Sequence, residues 1–443
     1  MNVGNAPSLV ASTTALSFVT KSFGTDHEFF AEFTHTEKED FFHSICLPNK
    51  LGWPAMHNRP TTLLLNIGHA LDHMFLLIFA TAVTSIATDF GVERWEDLMP
   101  YSVAAFFFFG IGSIPAGRLG DLWGRRQMMV IFFIGVGLAS VLVSFTNTPF
   151  QLALGLAVLG CATSIYHPVG IPMLVQGSER PGWTIGVNGL AGNLGLAIAA
   201  VVTGLLVKYF GWRMAFVIPG ILSVVCGVLF AIFSPRESTA PAKKKSTSGS
   251  HEGMSVPKLL LIMTIASSSG SMLFNFSTNS NYELLTSKFS EISQDPAMIG
   301  FFLAVVYVLA SFTQLLVGHL LDRVALKTLF RSVIIVQFFA LILANMTNGW
   351  MFYAAQLLFM AAIFGAIPFS DAMIVRFVDD TMRSRISGMR LAVSLGVSSL
   401  AVWMIGPIVK SGGFSTLIGV MVATSCITFI VVSQLPSTPN KNS

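Results

Sequence analysis

The chain has 443 residues, of which 53% are hydrophobic and 11% charged, with a formal net charge of +4. A soluble domain carries about 25% charged residues, so this chain lacks a polar coat suited to water and is expected to have lipid as its solvent. The small net charge gives no reason to expect a nucleic-acid partner. The scattered Cys46, Cys161, Cys226 and Cys426 form no C-x-x-C pair, which excludes a zinc knuckle and argues against a disulfide framework.

The first 61 residues form an extension without the pattern of a secretory signal. Thr25-Asp26-His27-Glu28 resembles a capping box opening a short helix. Along it Glu28, Glu32, His35, Glu39 and His43 fall on one stripe, and Phe29 and Phe33 on another. Imidazole and carboxylate on one face suit a transition metal such as iron. An amphipathic segment resting on the membrane surface, its polar face solvated, accounts for the same spacing.

Apolar runs of spanning length, about 20 residues each, then follow near 62–88, 98–118, 127–146, 149–176, 183–208 and 214–233. They resume near 258–286, 297–321, 327–347, 349–376, 384–410 and 413–435. Residues 234–257 between the two sets are rich in Ser, Pro and Lys and read as a solvated linker; residues 436–443 form a tail. The prediction is an all-α integral membrane protein of about twelve transmembrane helices in two six-helix bundles, 62–233 and 258–435.

The first run carries Asn66, His69, Asp72 and His73 at spacings of three and four, hence on one helical face. Ionisable groups inside a membrane are costly and usually face a cavity. A desolvated carboxylate takes up protons and imidazoles relay them, so a proton or cation site is expected here; the other reading is packing through hydrogen bonds to a neighbouring helix. Between the second and third runs lies Gly117-Arg118-Leu119-Gly120-Asp121-Leu122-Trp123-Gly124-Arg125-Arg126, in which Gly117 and Gly124 allow close approach and a tight turn. Asp121 is placed to cap a helix and to pair with the arginines.

His167 in the fourth run precedes Pro168, which suggests a locally broken helix lining a cavity, although a buried structural histidine fits equally. Asn188 and Asn193 in the fifth run suit helix packing with some cavity exposure. In the second set, Asn275, Asn279, Tyr307 and Gln314 are lining candidates, and Asp371 lies in the tenth run. Arg390, near the position that Asn188 occupies in the first set, would bind an anion, pair with Asp371, or snorkel to the interface.

Residues 318–328, GHLLDRVALKT, repeat the loop at 117–127: Gly117 matches Gly318, Asp121 matches Asp322 beside Arg323, and Arg126 matches Lys327. The same offset relates Gly195 to Gly396, so the bundles are expected to be pseudo-symmetric. Basic residues crowd the loops of one side, among them Arg118, Arg125, Arg126, Lys243, Lys244, Lys245, Arg323 and Lys327. The other side holds Arg94, Lys208, Arg213, Lys288 and Lys410. This bias places both termini in the cytoplasm.

Gly117, Leu119, Asp121, Gly124, Arg125 and Arg126 resemble the major facilitator signature loop, G-x-L-x-D-x-x-G-R-R. The resemblance implies that this loop latches the two halves together on the cytoplasmic side in one state and releases them in another. Gly211-Trp212-Arg213 also resembles that family. Tyr166-His167-Pro168, with Gly186-Val187-Asn188-Gly189 and Gly192-Asn193-Leu194-Gly195, is similar to its fosmidomycin-resistance-like branch. The family's drug–proton antiporters usually have an arginine in helix 4 and Gly-Pro in helix 5; here helix 4 has none and Asn193 follows Gly192.

These observations lead to a secondary active transporter of a small molecule or ion, working by alternating access and coupled to protons or cations. No G-x-x-x-x-G-K-[ST] loop is present to bind a nucleotide, no cofactor is expected, and no nucleophile constellation indicates an enzyme. The expected location is a bacterial cytoplasmic membrane or an internal membrane derived from it. The His- and acid-rich leader before the core resembles magnetosome-membrane facilitators implicated in iron supply, which makes iron transport the alternative. A sensor or assembly protein that kept the fold and lost transport is a further one.

Overall fold

A backbone in hydrocarbon must satisfy its own polar groups, and the apolar runs do so as long helices. The computed structural model describes residues 59–176, 178, 181–235, 256–377 and 380–436. The leader residues Glu28, Glu32, His35, Glu39 and His43 lie outside the described residues. No strand occurs among those described.

The first bundle comprises α1 (Arg59–Asp89), α2 (Val103–Trp123), α3 (Arg125–Ser144), α4 (Pro149–Val175), α5 (Pro181–Phe210) and α6 (Trp212–Phe233). Two short 3-10 turns, Trp95–Asp97 and Met99–Ser102, lead into α2. The second bundle has α7 (Val256–Lys288), α8 (Pro296–Arg323), α9 (Leu326–Met346) and α10 (Gly349–Phe377). The helical stretch Asp380–Val432 breaks at Gly413, where φ is 70°, and so supplies two crossings, α11 (380–412) and α12 (414–432). With that break the described residues give the twelve spans that the apolar runs predict.

Helix starts follow local chemistry. Thr148 accepts a hydrogen bond from the Gln151 amide and Pro149 opens α4; Asp295 caps α8 through the Ala297 amide, with Pro296 next. Large apolar side chains such as Ile114, Phe150, Ile232, Phe339 and Ile430 point outward, as a lipid-facing surface requires. Within the bundles α1 packs on α5, α3 on α6 and α7 on α11; across them α5 packs on α8 and α2 on α11.

The signature loop is shaped by Gly124, whose φ of 95° and ψ of 140° end α2 and start α3. That region is essentially reserved for glycine. Gly124→Ala should therefore cost about 1–3 kcal/mol, measured as a lowered melting temperature in detergent with the spans still inserted.

Candidate functional site

The α1 face gathers the ionisable groups at mid-span, and α4 and α5 supply their partners. His69 and Asp72 are buried, and His73 is half-buried. In α4 the helical turn widens over Tyr166–Gly170 into a π-type turn that contains Pro168. Pro168 has no N–H to give to the turn, and single π-turns often accompany functional sites. The wide turn brings His167 to Asp72, with Nε2 3.3 Å from Oδ2.

That contact is an ion-pair approach without an aligned hydrogen bond: neither Asp72 oxygen has a hydrogen-bond partner. The Asp72 side chain is fully buried, whereas that of His167 is 29% exposed. His167 therefore stands between the carboxyl and open space. An isolated buried carboxylate costs several kcal/mol, so Asp72 must be neutralised by a proton or by a positive charge.

His69 is held on three sides. Its Nδ1 lies 2.7 Å from the Asn188 carbonyl oxygen, which only accepts, so Nδ1 carries the proton. In the neutral ring Nε2 then accepts, and its partner is His73 Nε2 at 3.2 Å. Tyr166 stacks on the His69 ring with centroids 4.8 Å apart.

Asn188 ties the cluster together. Its side-chain amide donates to the Tyr166 hydroxyl at 2.8 Å and to Asn66 Oδ1 at 3.0 Å, and Tyr166 donates to the Leu65 carbonyl at 2.8 Å. A Cβ at position 192 of α5 would stand 2.7 Å from His69 Cε1, so Gly192 leaves the ring its room.

His73 and His167 open on a central cavity of about 330 Å³ between the bundles. Phe106, Phe109 and Phe274 form apolar walls. The second bundle contributes Ser267, Ser271, Asn275, Thr278 and Asn279 from α7, and Ser394 and Ser398 from α11. The α7 positions recur at helical spacing on one face, and Asn275 donates to Ser398 Oγ at 2.9 Å. One wall thus offers imidazoles and the other neutral hydroxyl and amide groups.

The structure brings Asn66, His69, Asp72, His73, His167 and Asn188 into one cluster, and places Asn275 and Asn279 on the cavity. Tyr307 differs from expectation: it is fully buried inside the second bundle, stacked on Phe364. Phe364 of α10 covers its ring, and its hydroxyl reaches the Thr278 carbonyl within the bundle. Gln314 and Asn193 bond to each other across the bundles, α8 to α5. Asp371 lies on α10, Arg390 on α11 and Asp322 at the end of α8; their side chains lie outside the described residues.

The loop residues are placed away from the cavity. Arg125 donates to the Pro172 carbonyl at 3.3 Å and to Gln176 at 3.2 Å, and Arg126 donates to the Ser234 and Ala231 carbonyls. These bonds stay within the first bundle and the first residue after α6. Gly117 packs on Pro168, and Asp121 and Arg323 are exposed.

Two groups escaped the sequence reading. Tyr166 is the platform of His69; the run Tyr166-His167-Pro168 marked it, but with no role assigned to its ring. Glu283 near the end of α7 is buried and accepts from the Thr84 hydroxyl of α1 at 2.8 Å; an acid inside an apolar run was the available signal.

Comparisons with known proteins agree with this architecture. The family profile described as Major Facilitator Superfamily matches residues 65–290, just over half of the chain. The chain is 24% identical over 305 residues to "Multidrug resistance protein MdtG" of Citrobacter koseri, covering 67% of this chain and 73% of that protein. A solved D-xylose–proton symporter matches with a TM-score of 0.71 at 14% identity, over 86% of this chain and 99% of the other. A bacterial homolog of the human lysosomal transporter Spinster, inward-facing and unoccupied, gives 0.66 at 14% identity, over 84% and 95%.

Proposed function

The chain belongs to the Major Facilitator Superfamily, and on that premise we propose a secondary active transporter that carries a small solute or ion by alternating access, coupled to protons. Segments 62–233 and 258–435 are the moving bodies, tied by the linker 234–257. The observation that carries the reading is the fully buried Asp72 in contact with the half-open His167. A proton arriving from the cavity through His167 neutralises Asp72, and its departure leaves a charge that the closed site does not tolerate.

His73 and His69 form a parallel relay, with Asn66 and Asn188 positioning the rings. Asp371 and Arg390 are further cavity candidates on the second half. Gly117, Asp121, Gly124, Arg125 and Arg126, with Asp322 and Arg323 in the repeat, serve as a cytoplasmic latch that joins the halves in one state and releases them in the other. The charge bias supports a cytoplasmic α2–α3 end and cytoplasmic termini in a bacterial inner membrane, or in a membrane derived from it. A helix 4 without arginine and Asn193 after Gly192 weigh against drug extrusion.

The test is uptake by proteoliposomes under an imposed pH gradient, across a panel of neutral solutes and divalent metals. Accumulation that collapses with a protonophore is expected; accumulation indifferent to the gradient overturns the coupling.

One observation favours a second reading, in which the cargo is a divalent transition metal such as iron. The ligand atoms of His69, His73 and His167 lie within 4.8 Å of one another, and imidazole suits such ions. Binding would require His73 to give up its hydrogen bond to His69 Nε2, so relay and ligand set exclude each other. On this reading His73→Ala and His167→Ala each weaken ferrous-ion uptake at least about tenfold, a loss of about 1.4 kcal/mol of binding. Unchanged metal uptake in both variants removes it.

A further inference from the structure

Two pairs of side chains join the bundles at the end opposite the signature loop, and the sequence repeats them. Lys208 at the end of α5 pairs with Asp295 before α8. Lys410 on α11 pairs with Asp97 in the turn before α2. In each case the lysine sits on a helix with a glycine four residues earlier, Gly204-x-x-x-Lys208 and Gly406-x-x-x-Lys410.

The glycines do matching work. A Cβ at 204 would meet the Pro296 carbonyl oxygen at 2.5 Å, and one at 406 would meet the Glu96 carbonyl oxygen at 2.3 Å. Each glycine therefore presses its helix against the backbone next to the aspartate that its lysine captures. The two glycines are 202 residues apart, as are the two lysines, while Asp97 and Asp295 are 198 apart. Each offset falls close to that of the signature-loop repeat.

Between these pairs, Thr84 of α1 bonds Glu283 of α7, residues 199 apart and thus near-equivalent positions meeting close to the pseudo-twofold axis. Asp295 is additionally fixed by capping α8 through the Ala297 amide at 2.9 Å. The Lys208 ammonium holds its carboxyl below the ordinary carboxylate range, so the pair stays ionised at neutral pH.

We propose that Gly204/Lys208–Asp295 and Gly406/Lys410–Asp97 are a duplicated clamp that holds this end of the transporter shut and must break for the central cavity to open there. The clamp rests on the alternating-access reading but not on any substrate or coupling ion. Its geometry supplies two equal contacts on either side of the axis, so neither bundle tilts while both are closed. Exposed ion pairs of this kind shift an equilibrium by roughly two- to fivefold each.

Pulsed dipolar spectroscopy tests the clamp without transport. Spin labels go on Glu93→Cys and Asn348→Cys, in exposed loops of the two bundles, with the four native cysteines replaced by serine. Lys208→Glu with Lys410→Glu should raise the ratio of long to short distances by roughly four- to 25-fold if the pairs act independently. Adding Asp295→Lys and Asp97→Lys should restore the original distribution. A distribution unchanged when only the two lysines are reversed overturns the clamp. If that chain does not fold, the neutral Lys208→Met with Lys410→Met is read in the same way, and its unchanged distribution equally overturns it. Moving labels in a protein that transports nothing would uphold the clamp while defeating the transport reading.

Discussion

Asp72→Asn is expected to abolish gradient-driven accumulation while leaving solute exchange intact. The substitution keeps the shape of the side chain but removes its ability to cycle between charged and neutral forms. The fully buried position and the absence of any aligned hydrogen bond to either oxygen make this cycle matter. A carboxylate in that pocket is tolerated only beside a positive His167, which on the proposed coupling ties proton transfer to conformational change. Asparagine is neutral in every state, and the protein would then move without regard to protons. In proteoliposomes, accumulation under a pH gradient should fall at least about tenfold, the equivalent of about 1.4 kcal/mol of coupling. Counterflow of the same solute should persist. Preserved accumulation together with preserved counterflow would assign the coupling elsewhere.

A large effect on stability is expected at Gly195, where α1 and α5 nearly touch. A Cβ there would stand 2.1 Å from the Ala70 carbonyl oxygen, a backbone atom that no rotamer can move aside. Gly195→Ala forces the helices apart, and overpacking of this sort costs about 1–3 kcal/mol or more. A melting curve in detergent should show it directly. Gly192→Ala, one turn earlier, offers an instructive contrast. Its Cβ would meet the His69 ring rather than backbone, so the ring shifts and the bundle survives. The melting temperature should change little, while coupled uptake falls because the bond from His73 to His69 is lost. Equal losses of stability in the two variants would contradict this division.

Much of the fold was legible because lipid imposes a simple rule on sequence. Twelve apolar runs became twelve crossings, and the break at Gly413 fell where the last two were expected to meet. The α1 face was also legible, since Asn66, His69, Asp72 and His73 recur at helical spacing and polar groups in hydrocarbon need partners. Its partners were less so. The bond from Asn188 to Tyr166 joins residues 22 apart on different helices, and no local pattern announces it. Tyr307 shows the converse error: a tyrosine in a span suggests a cavity, yet its ring packs as an apolar slab and its hydroxyl stays within the second bundle. Lys208 and Lys410 read only as scattered charges on one side until their aspartates were located in space. The repeated Gly-x-x-x-Lys was visible throughout, but its meaning depends on which backbone each glycine meets.

The cavity has unlike walls in a scaffold built by repetition. Imidazoles come from α1 and α4, with the Asp72 carboxyl buried behind them, while the polar groups that α7 and α11 give are hydroxyls and amides among the described lining residues. On the proposed transport reading, the two inner surfaces of this repeated scaffold take separate trades, one handling the driving force and the other choosing the passenger. Exchanging Ser271 or Asn275 for other small side chains should accordingly alter which compounds are accepted, without altering how steeply uptake responds to the gradient.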